Sequence, residues 1–154
     1  MKERAFFMDA IDILLVEDNP HDVEMILESL SRQDISHRVR AISDGAEALD
    51  YLFGPQGCLA KTDIRLPKLI ILDLKLPKVS GMELLKRVKA DERTTHIPVV
   101  VFTSSDEAQD RIESYMRGAN SYVVKPMQAA AFSRFVADIG AYWVSMNITP
   151  YNEI

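Results

Sequence analysis

The stretch Leu69-Ile70-Ile71-Leu72-Asp73 decides the fold, because it reads as a fully buried strand that ends in a carboxylate. Three further apolar runs end in a similar way, at residues 13–16 before Glu17-Asp18, 99–102 before Thr103-Ser104, and 122–124 before Lys125-Pro126. In an open α/β sheet, ligands bind beyond the carboxyl ends of the parallel strands. We therefore predict that one edge of one sheet collects three carboxylates, a hydroxyl and an ammonium group.

Strand and helix patterns alternate from residue 11 to about residue 146, which is typical of an α/β fold with helices on both faces of a parallel sheet. Five strands are indicated, and the second is a short, weakly alternating one over residues 37–42. The flavodoxin-like, doubly wound order 2-1-3-4-5 places side by side the ends of the four strands that carry reactive residues. We predict one domain over residues 11–146, with an N-terminal leader over 1–10 and a short C-terminal tail over 147–154.

Local signals punctuate this pattern. Asp44 and Ser104 each precede a helical stretch and have a glutamate three residues on, so both are predicted to be helix N-caps. Gly118 suits a left-handed cap at the end of the fourth helix, and Pro126 suits the first turn of the last one. The one long connection, over residues 54–66, is of a length that is usually functional or mobile.

Composition narrows the class of protein. The chain has 154 residues and a net charge of −5, which argues against a nucleic-acid-binding surface. No apolar run is long enough to cross a bilayer, and the N-terminus does not read as a signal peptide. Cys58 is the only cysteine, so no internal disulfide forms and a reducing compartment fits. We expect a cytoplasmic protein that binds neither nucleic acid nor membranes.

The predicted cluster has a specific chemistry. Glu17, Asp18 and Asp73 repel one another unless a cation neutralises them, and Mg²⁺ prefers hard oxygen ligands and is often shared with a phosphate. Asp73 projects from a rigid strand, which suits a carboxylate nucleophile that forms an aspartyl phosphate. Lys125 would face the same pocket as a charge partner for phosphoryl oxygens, and Thr103 would hydrogen-bond one of them.

The chain at this point resembles a known family. It looks like a receiver domain of a two-component response regulator of the chemotaxis-regulator type, and the resemblance covers about residues 11–146. The matching positions are Glu17, Asp18, Asp73, Thr103, Lys125 with Pro126, and the aromatic Tyr122. Within the family it is similar to stand-alone receivers such as the phytochrome-associated response regulators, on residues 51–54, the loop that follows them, and residues 74–78.

The resemblance implies a role for each site residue. Asp73 accepts a phosphoryl group from a sensor histidine kinase. Asp18, Asp73 and the backbone carbonyl of Lys75 bind Mg²⁺, and Glu17 acts through water. Such a protein phosphorylates and dephosphorylates itself and is not a turnover enzyme. We further hypothesise that the side chain of Lys75 shields the phosphoryl group from water; a simple solvated lysine is the alternative.

The resemblance also implies how the signal leaves the domain. Thr103 and Tyr122 move together to report phosphorylation, beneath a face made of the fourth helix, the fifth strand and the last helix. Only 28 residues follow Pro126, so we expect no output domain. The output is then protein–protein interaction or onward transfer to a histidine phosphotransfer protein, with a homodimer through the same face. Tyr142 and Trp143 are the aromatic pair favoured for a partner surface.

The sequence also bears on alternative classes of protein. A dehalogenase-type phosphatase needs a second Asp two residues after its nucleophile, where this chain has Lys75 or Pro20. A nucleotide-binding enzyme needs a Gly-rich phosphate loop, and the loop after the first strand has no glycine. A receiver-like module that binds partners without phosphorylation stays open. The three histidines, His21, His37 and His96, do not have metal-ligand spacing.

Overall fold

The computed structural model describes residues 11–33, 35, 38–61 and 65–150. Its centre is a five-stranded parallel sheet in the order β2-β1-β3-β4-β5. The strands are β1 Ile13–Val16, β2 Val39–Ile42, β3 Leu69–Leu72, β4 Val99–Thr103 and β5 Ser121–Val124. The predicted doubly wound order is confirmed. β2 begins at Val39, and the predicted start at His37 lies outside the described residues.

Helices follow the strands. They are α1 Pro20–Ser31, α2 Gly45–Phe53, α3 Gly81–Ala90, α4 Ala108–Met116 and α5 Ala129–Gly140, and α5 runs on into a π-helical segment, Ala141–Met146. The predicted long connection contains a short 3₁₀ helix, Cys58–Ala60, and its residues 62–64 lie outside the described part. Within the described residues, no helix is long and apolar enough to span a bilayer.

Two hydrophobic cores lie on opposite faces of the sheet, because successive side chains of a strand point to opposite sides. In β1, Leu14 and Val16 belong to the core that packs under α2 and α3, whereas Ile13 and Leu15 belong to the core that packs under α1 and α5. β1, β3 and β4 are buried along their whole length, as their uninterrupted apolar runs predict. These three strands therefore form a rigid base for the residues at their carboxyl ends.

Two of the predicted helix signals are confirmed. The side chain of Asp44 accepts a hydrogen bond from the backbone N–H of Glu47 at 2.6 Å, which is the expected N-cap of α2. Gly118 has a φ of 101°, and the N–H of Ala119 reaches back to the carbonyl of Ser114 at 2.9 Å. This arrangement is the left-handed close that a glycine permits at a helix C-terminus.

Two other helix signals are wrong. Ser104 does not cap α4, because that helix begins at Ala108 after Glu107. The next serine, Ser105, instead accepts from the Glu107 N–H at 3.4 Å and donates to the Asp110 carboxylate at 2.6 Å, so the polar start is shifted along the chain. Pro126 lies ahead of α5, whose N-cap is Gln128.

Candidate functional site

The carboxyl ends of β1 and β3 bring two carboxylates together. These strands are neighbours, with Val16 in register with Leu72, so Glu17 and Asp73 leave the sheet side by side. The N–H of Asp73 still donates to the carbonyl of Val16 at 3.0 Å, so its backbone is fixed by the sheet. Asp73 is 6% exposed and Glu17 is 2% exposed, whereas Asp18 is exposed. Carboxylate oxygens of these three residues lie within 4.8 Å of one another, and oxygens so grouped suit a divalent cation.

Lys125 is the basic member of the cluster. It follows β5, and its own N–H donates to the carbonyl of Thr103 at 2.7 Å. Its Nζ donates to Glu17 Oε1 at 2.5 Å and to Asp73 Oδ2 at 2.9 Å. Only 8% of the Lys125 side chain is exposed, so these are buried, charge-assisted hydrogen bonds. The predicted meeting of the Lys125 ammonium with the acidic residues is therefore found.

One member of the cluster was missed in the sequence. Asp22, in the first turn of α1, accepts the remaining hydrogen bond of Lys125, with Nζ to Oδ2 at 2.8 Å. In sequence it looks like an ordinary acidic residue at a helix N-terminus, where the helix dipole favours it. The available signal was its place just after the Asn19-Pro20 turn, four residues beyond Asp18.

Burial governs the electrostatics of the cluster. Burial raises the pKa of Glu17 to about 7 and outweighs the hydrogen bond from Lys125, which lowers it; the charge of Asp73 adds to the rise. For Lys125, burial alone would lower the pKa, but the hydrogen bonds to Asp22, Glu17 and Asp73 raise it above its usual value. The ammonium is thus locked in its charged form, while the acidic side of the cluster holds more negative charge than one lysine neutralises.

A hydroxyl from β4 and an aromatic ring from β5 contact the same loop. Thr103 is fully buried, and its Oγ1 accepts from the N–H of Ser105 at 3.4 Å. The hydroxyl of Tyr122 donates to the carbonyl of Ser105 at 2.8 Å. Thr103 and Tyr122 therefore both contact one residue of the β4–α4 loop.

The loop after β3 supports Asp73. The N–H of Lys75 donates to Asp73 Oδ1 at 3.3 Å, and its side chain is exposed. Lys78 has a φ of 67°, and its Nζ lies 3.5 Å from the carboxylate of Asp44, which ties this loop to the start of α2. At the end of the loop, Gly81 lies directly against the backbone of Asp73. Asp73 is thus held by the neighbouring strand, by the loop and by Lys125.

The fold and this cluster together point to one family. The response regulator receiver domain matches residues 13–137. The chain belongs to the response regulator receiver family. The receiver is 39% identical over 142 residues to the probable methanogenesis regulatory protein FilR2 of Methanothrix harundinacea, covering 92% of this chain and 89% of that protein.

Solved structures narrow the resemblance within the family. The phosphorylated cyanobacterial phytochrome response regulator RcpA superposes on this receiver with a TM-score of 0.82 and 36% identity, over 92% of this chain and 99% of that one. The Mn²⁺-bound form of response regulator Rcp1 gives a TM-score of 0.80 and 35% identity, over 90% and 97% of the two chains. Rcp1 comes from Synechocystis sp.. The predicted similarity to phytochrome-associated response regulators is confirmed.

Proposed function

We propose that this receiver accepts a phosphoryl group on Asp73 from a phosphohistidine of a sensor histidine kinase. The observation that carries the proposal is the state of the Asp73 carboxylate: it is nearly buried, it lies at the end of a rigid strand, and it is held by a buried ammonium. In the transfer, an Asp73 oxygen forms a bond to phosphorus, the P–N bond of the phosphohistidine breaks, and the imidazole leaves with a proton. Lys125 would then balance charge on the phosphoryl oxygens.

We propose Mg²⁺ as the required ion. Asp18, Asp73 and the backbone carbonyl of Lys75 would hold it, and Glu17 would act through a bound water. Support comes from the all-oxygen donor set of the cluster and from the Mn²⁺-bound form of the related Rcp1. The ion supplies positive charge that brings the phosphoryl donor to an otherwise acidic pocket. Asp18, the exposed member of the cluster, faces the side from which an ion enters.

Thr103 and Tyr122 are proposed to report the phosphorylated state. The hydroxyl of Thr103, whose oxygen accepts from the Ser105 N–H, would donate a hydrogen bond to a phosphoryl oxygen. The hydroxyl of Tyr122 donates to the carbonyl of Ser105. A shift of this loop would therefore break or keep the hydrogen bond that holds the Tyr122 ring. Phosphorylation would thereby bias an equilibrium between two forms of the β4–α4 loop.

The face above this loop is the proposed output surface. Ile112, Tyr115 and Met116 of α4 are 57%, 50% and 83% exposed, and Val124 of β5 is 39% exposed. Apolar side chains grouped in this way mark an interaction surface. We propose that it serves a homodimer, a downstream protein or a histidine phosphotransfer protein, in the cytoplasm. Tyr142, stacked edge-on against Trp143 with ring centroids 4.9 Å apart, is half exposed and extends the apolar surface of the C-terminal helix.

The test is the intact mass of the protein after incubation with Mg²⁺ and acetyl phosphate. Wild type should gain one phosphoryl group, and EDTA should abolish the gain. Asp73→Asn should gain nothing, whereas Asp138→Asn, the same change at an exposed site on α5, should behave as wild type. If wild type gains no mass and also fails to bind beryllofluoride with Mg²⁺, the phosphoacceptor role is refuted and a phosphorylation-independent binding module takes its place.

A further inference from the structure

The ammonium of Lys125 has three N–H donors, and each of them is engaged by a different carboxylate. Two of the acceptors, Glu17 and Asp73, belong to the metal and phosphoryl site proposed above. The third, Asp22, stands outside that set, and its carboxylate does not belong to the group that could hold a cation. This contact has no role in the proposed transfer.

The local structure at the start of α1 positions Asp22 for this contact. Asn19 caps α1, with its side-chain oxygen accepting from the N–H groups of His21 and Asp22. This cap fixes the first turn so that the Asp22 side chain reaches Lys125, which is 103 residues away in sequence. Stabilisation of a helix N-terminus alone would need no such partner, and it leaves most acidic groups in water. Here the Asp22 side chain is 19% exposed and the lysine 8%.

We propose that Asp22 is a positioning residue that competes with the phosphoryl group for Lys125 and so weakens the phosphorylated state. The proposal rests on the phosphoacceptor function of Asp73. With Asp22, three carboxylates accept hydrogen bonds from a single ammonium group, and the arriving phosphoryl group adds further negative charge. Asp22 also holds Nζ toward the first turn of α1. Both effects favour the unphosphorylated protein.

The experiment is a calorimetric titration with beryllofluoride at fixed, saturating Mg²⁺. Asp22→Asn should bind beryllofluoride more tightly than wild type by roughly three- to tenfold, the size expected for one partly exposed ion pair. The matched control is Glu24→Gln, which removes the same unit charge from α1. Glu24 is exposed and makes no ion pair within the described part of the chain. It should bind beryllofluoride as wild type does.

A second measurement separates positioning from a merely structural role. Thermal unfolding without metal or beryllofluoride should show Asp22→Asn to be less stable than wild type, because one partly buried hydrogen bond of Lys125 is weakened. Lower stability together with tighter binding is the signature of competition; a structural role alone would lower stability and leave binding equal or weaker. Equal tightening in Glu24→Gln would also overturn the proposal, in favour of net charge. If wild type itself binds no beryllofluoride, the phosphoacceptor function fails, and this proposal falls with it.

Discussion

Gly81→Ala is expected to damage both the fold and the phosphoryl acceptor, because Gly81 is packed against backbone. A Cβ at this position would lie 2.1 Å from the carbonyl oxygen of Asp73 and 2.6 Å from the Cα of Leu74. Neither atom can rotate away, so the start of α3 or the end of β3 must move. The second movement is opposed by the hydrogen bond from the Asp73 N–H to Val16 in the neighbouring strand.

The expected loss of stability follows from overpacking. Forcing extra volume into a packed site costs about 2–3 kcal/mol in the free energy of unfolding when the obstacle is rigid. For a chain of this size, that loss lowers the Tm by roughly 4–12 °C. A displaced acceptor should also slow phosphorylation by acetyl phosphate, by roughly 10–100-fold if Asp73 shifts by a large part of an ångström.

Gly140→Ala is the matched control. There the added Cβ would meet Leu30 Cδ2 at 2.8 Å and Gln33 Oε1 at 3.0 Å, which are the far ends of side chains and not backbone atoms. Alanine also favours a helix over glycine by about 1 kcal/mol, which offsets the crowding. Thermal unfolding followed by circular dichroism compares the two variants. A Gly81→Ala protein that unfolds within 1–2 °C of Gly140→Ala and is phosphorylated at the wild-type rate would refute the steric reasoning.

Four further predictions concern the pocket and the output face. Because burial raises the pKa of Glu17 to about 7, protons compete with a divalent ion, and Mg²⁺ affinity should increase from pH 6 to pH 8; a flat titration profile in wild type, or an equally steep one in Glu17→Gln, would contradict this. By the same shift, the metal-free protein should lose stability as the pH rises from about 4.5 to about 7. Lys75→Ala should lose its phosphoryl group roughly two- to fivefold faster than wild type if the exposed ammonium shields it, and release kinetics no faster than wild type would favour a solvated lysine. Beryllofluoride should tighten the proposed dimer, as measured by sedimentation. Met116→Glu should prevent this tightening, because the Met116 side chain is 83% exposed on α4. Unchanged sedimentation of wild type would count against the dimer.

Much of the fold was predictable because the signals were local. β1 is Ile13–Val16, as its apolar run indicates, since a parallel strand buried on both faces has little choice of residue. The order of the strands was predictable because the doubly wound order 2-1-3-4-5 puts the reactive ends side by side. The caps at Asp44 and Gly118 were predictable for a similar reason, because each needs only its own turn.

The wrong predictions concern the starts of α4 and α5. Ser104 and Ser105 are adjacent and both suit a cap. Neither serine caps α4, whose N-cap is Glu107. Ser105 is held instead by Asp110, which accepts from its hydroxyl, and by the distant Tyr122, whose hydroxyl donates to its carbonyl. The start of α5 was missed for a related reason. Pro126 is compatible with a first helical turn, but Lys125 is still bonded to Thr103 of the neighbouring strand, so the helix starts later.

The site shows the same division between local and distant causes. Strand ends predict that Glu17, Asp73 and Lys125 meet, because the sheet alone positions their backbones. Asp22 is carried by a helix, so its meeting with Lys125 depends on how α1 packs on the sheet, and no spacing in the sequence encodes that angle. A residue of this kind escapes a motif and still alters the charge balance of the pocket. Receivers that share the same acidic pair, acceptor and lysine should therefore differ in phosphoryl affinity according to what the first turn of α1 presents to that lysine, and the comparison of Asp22→Asn with Glu24→Gln measures that difference in one chain.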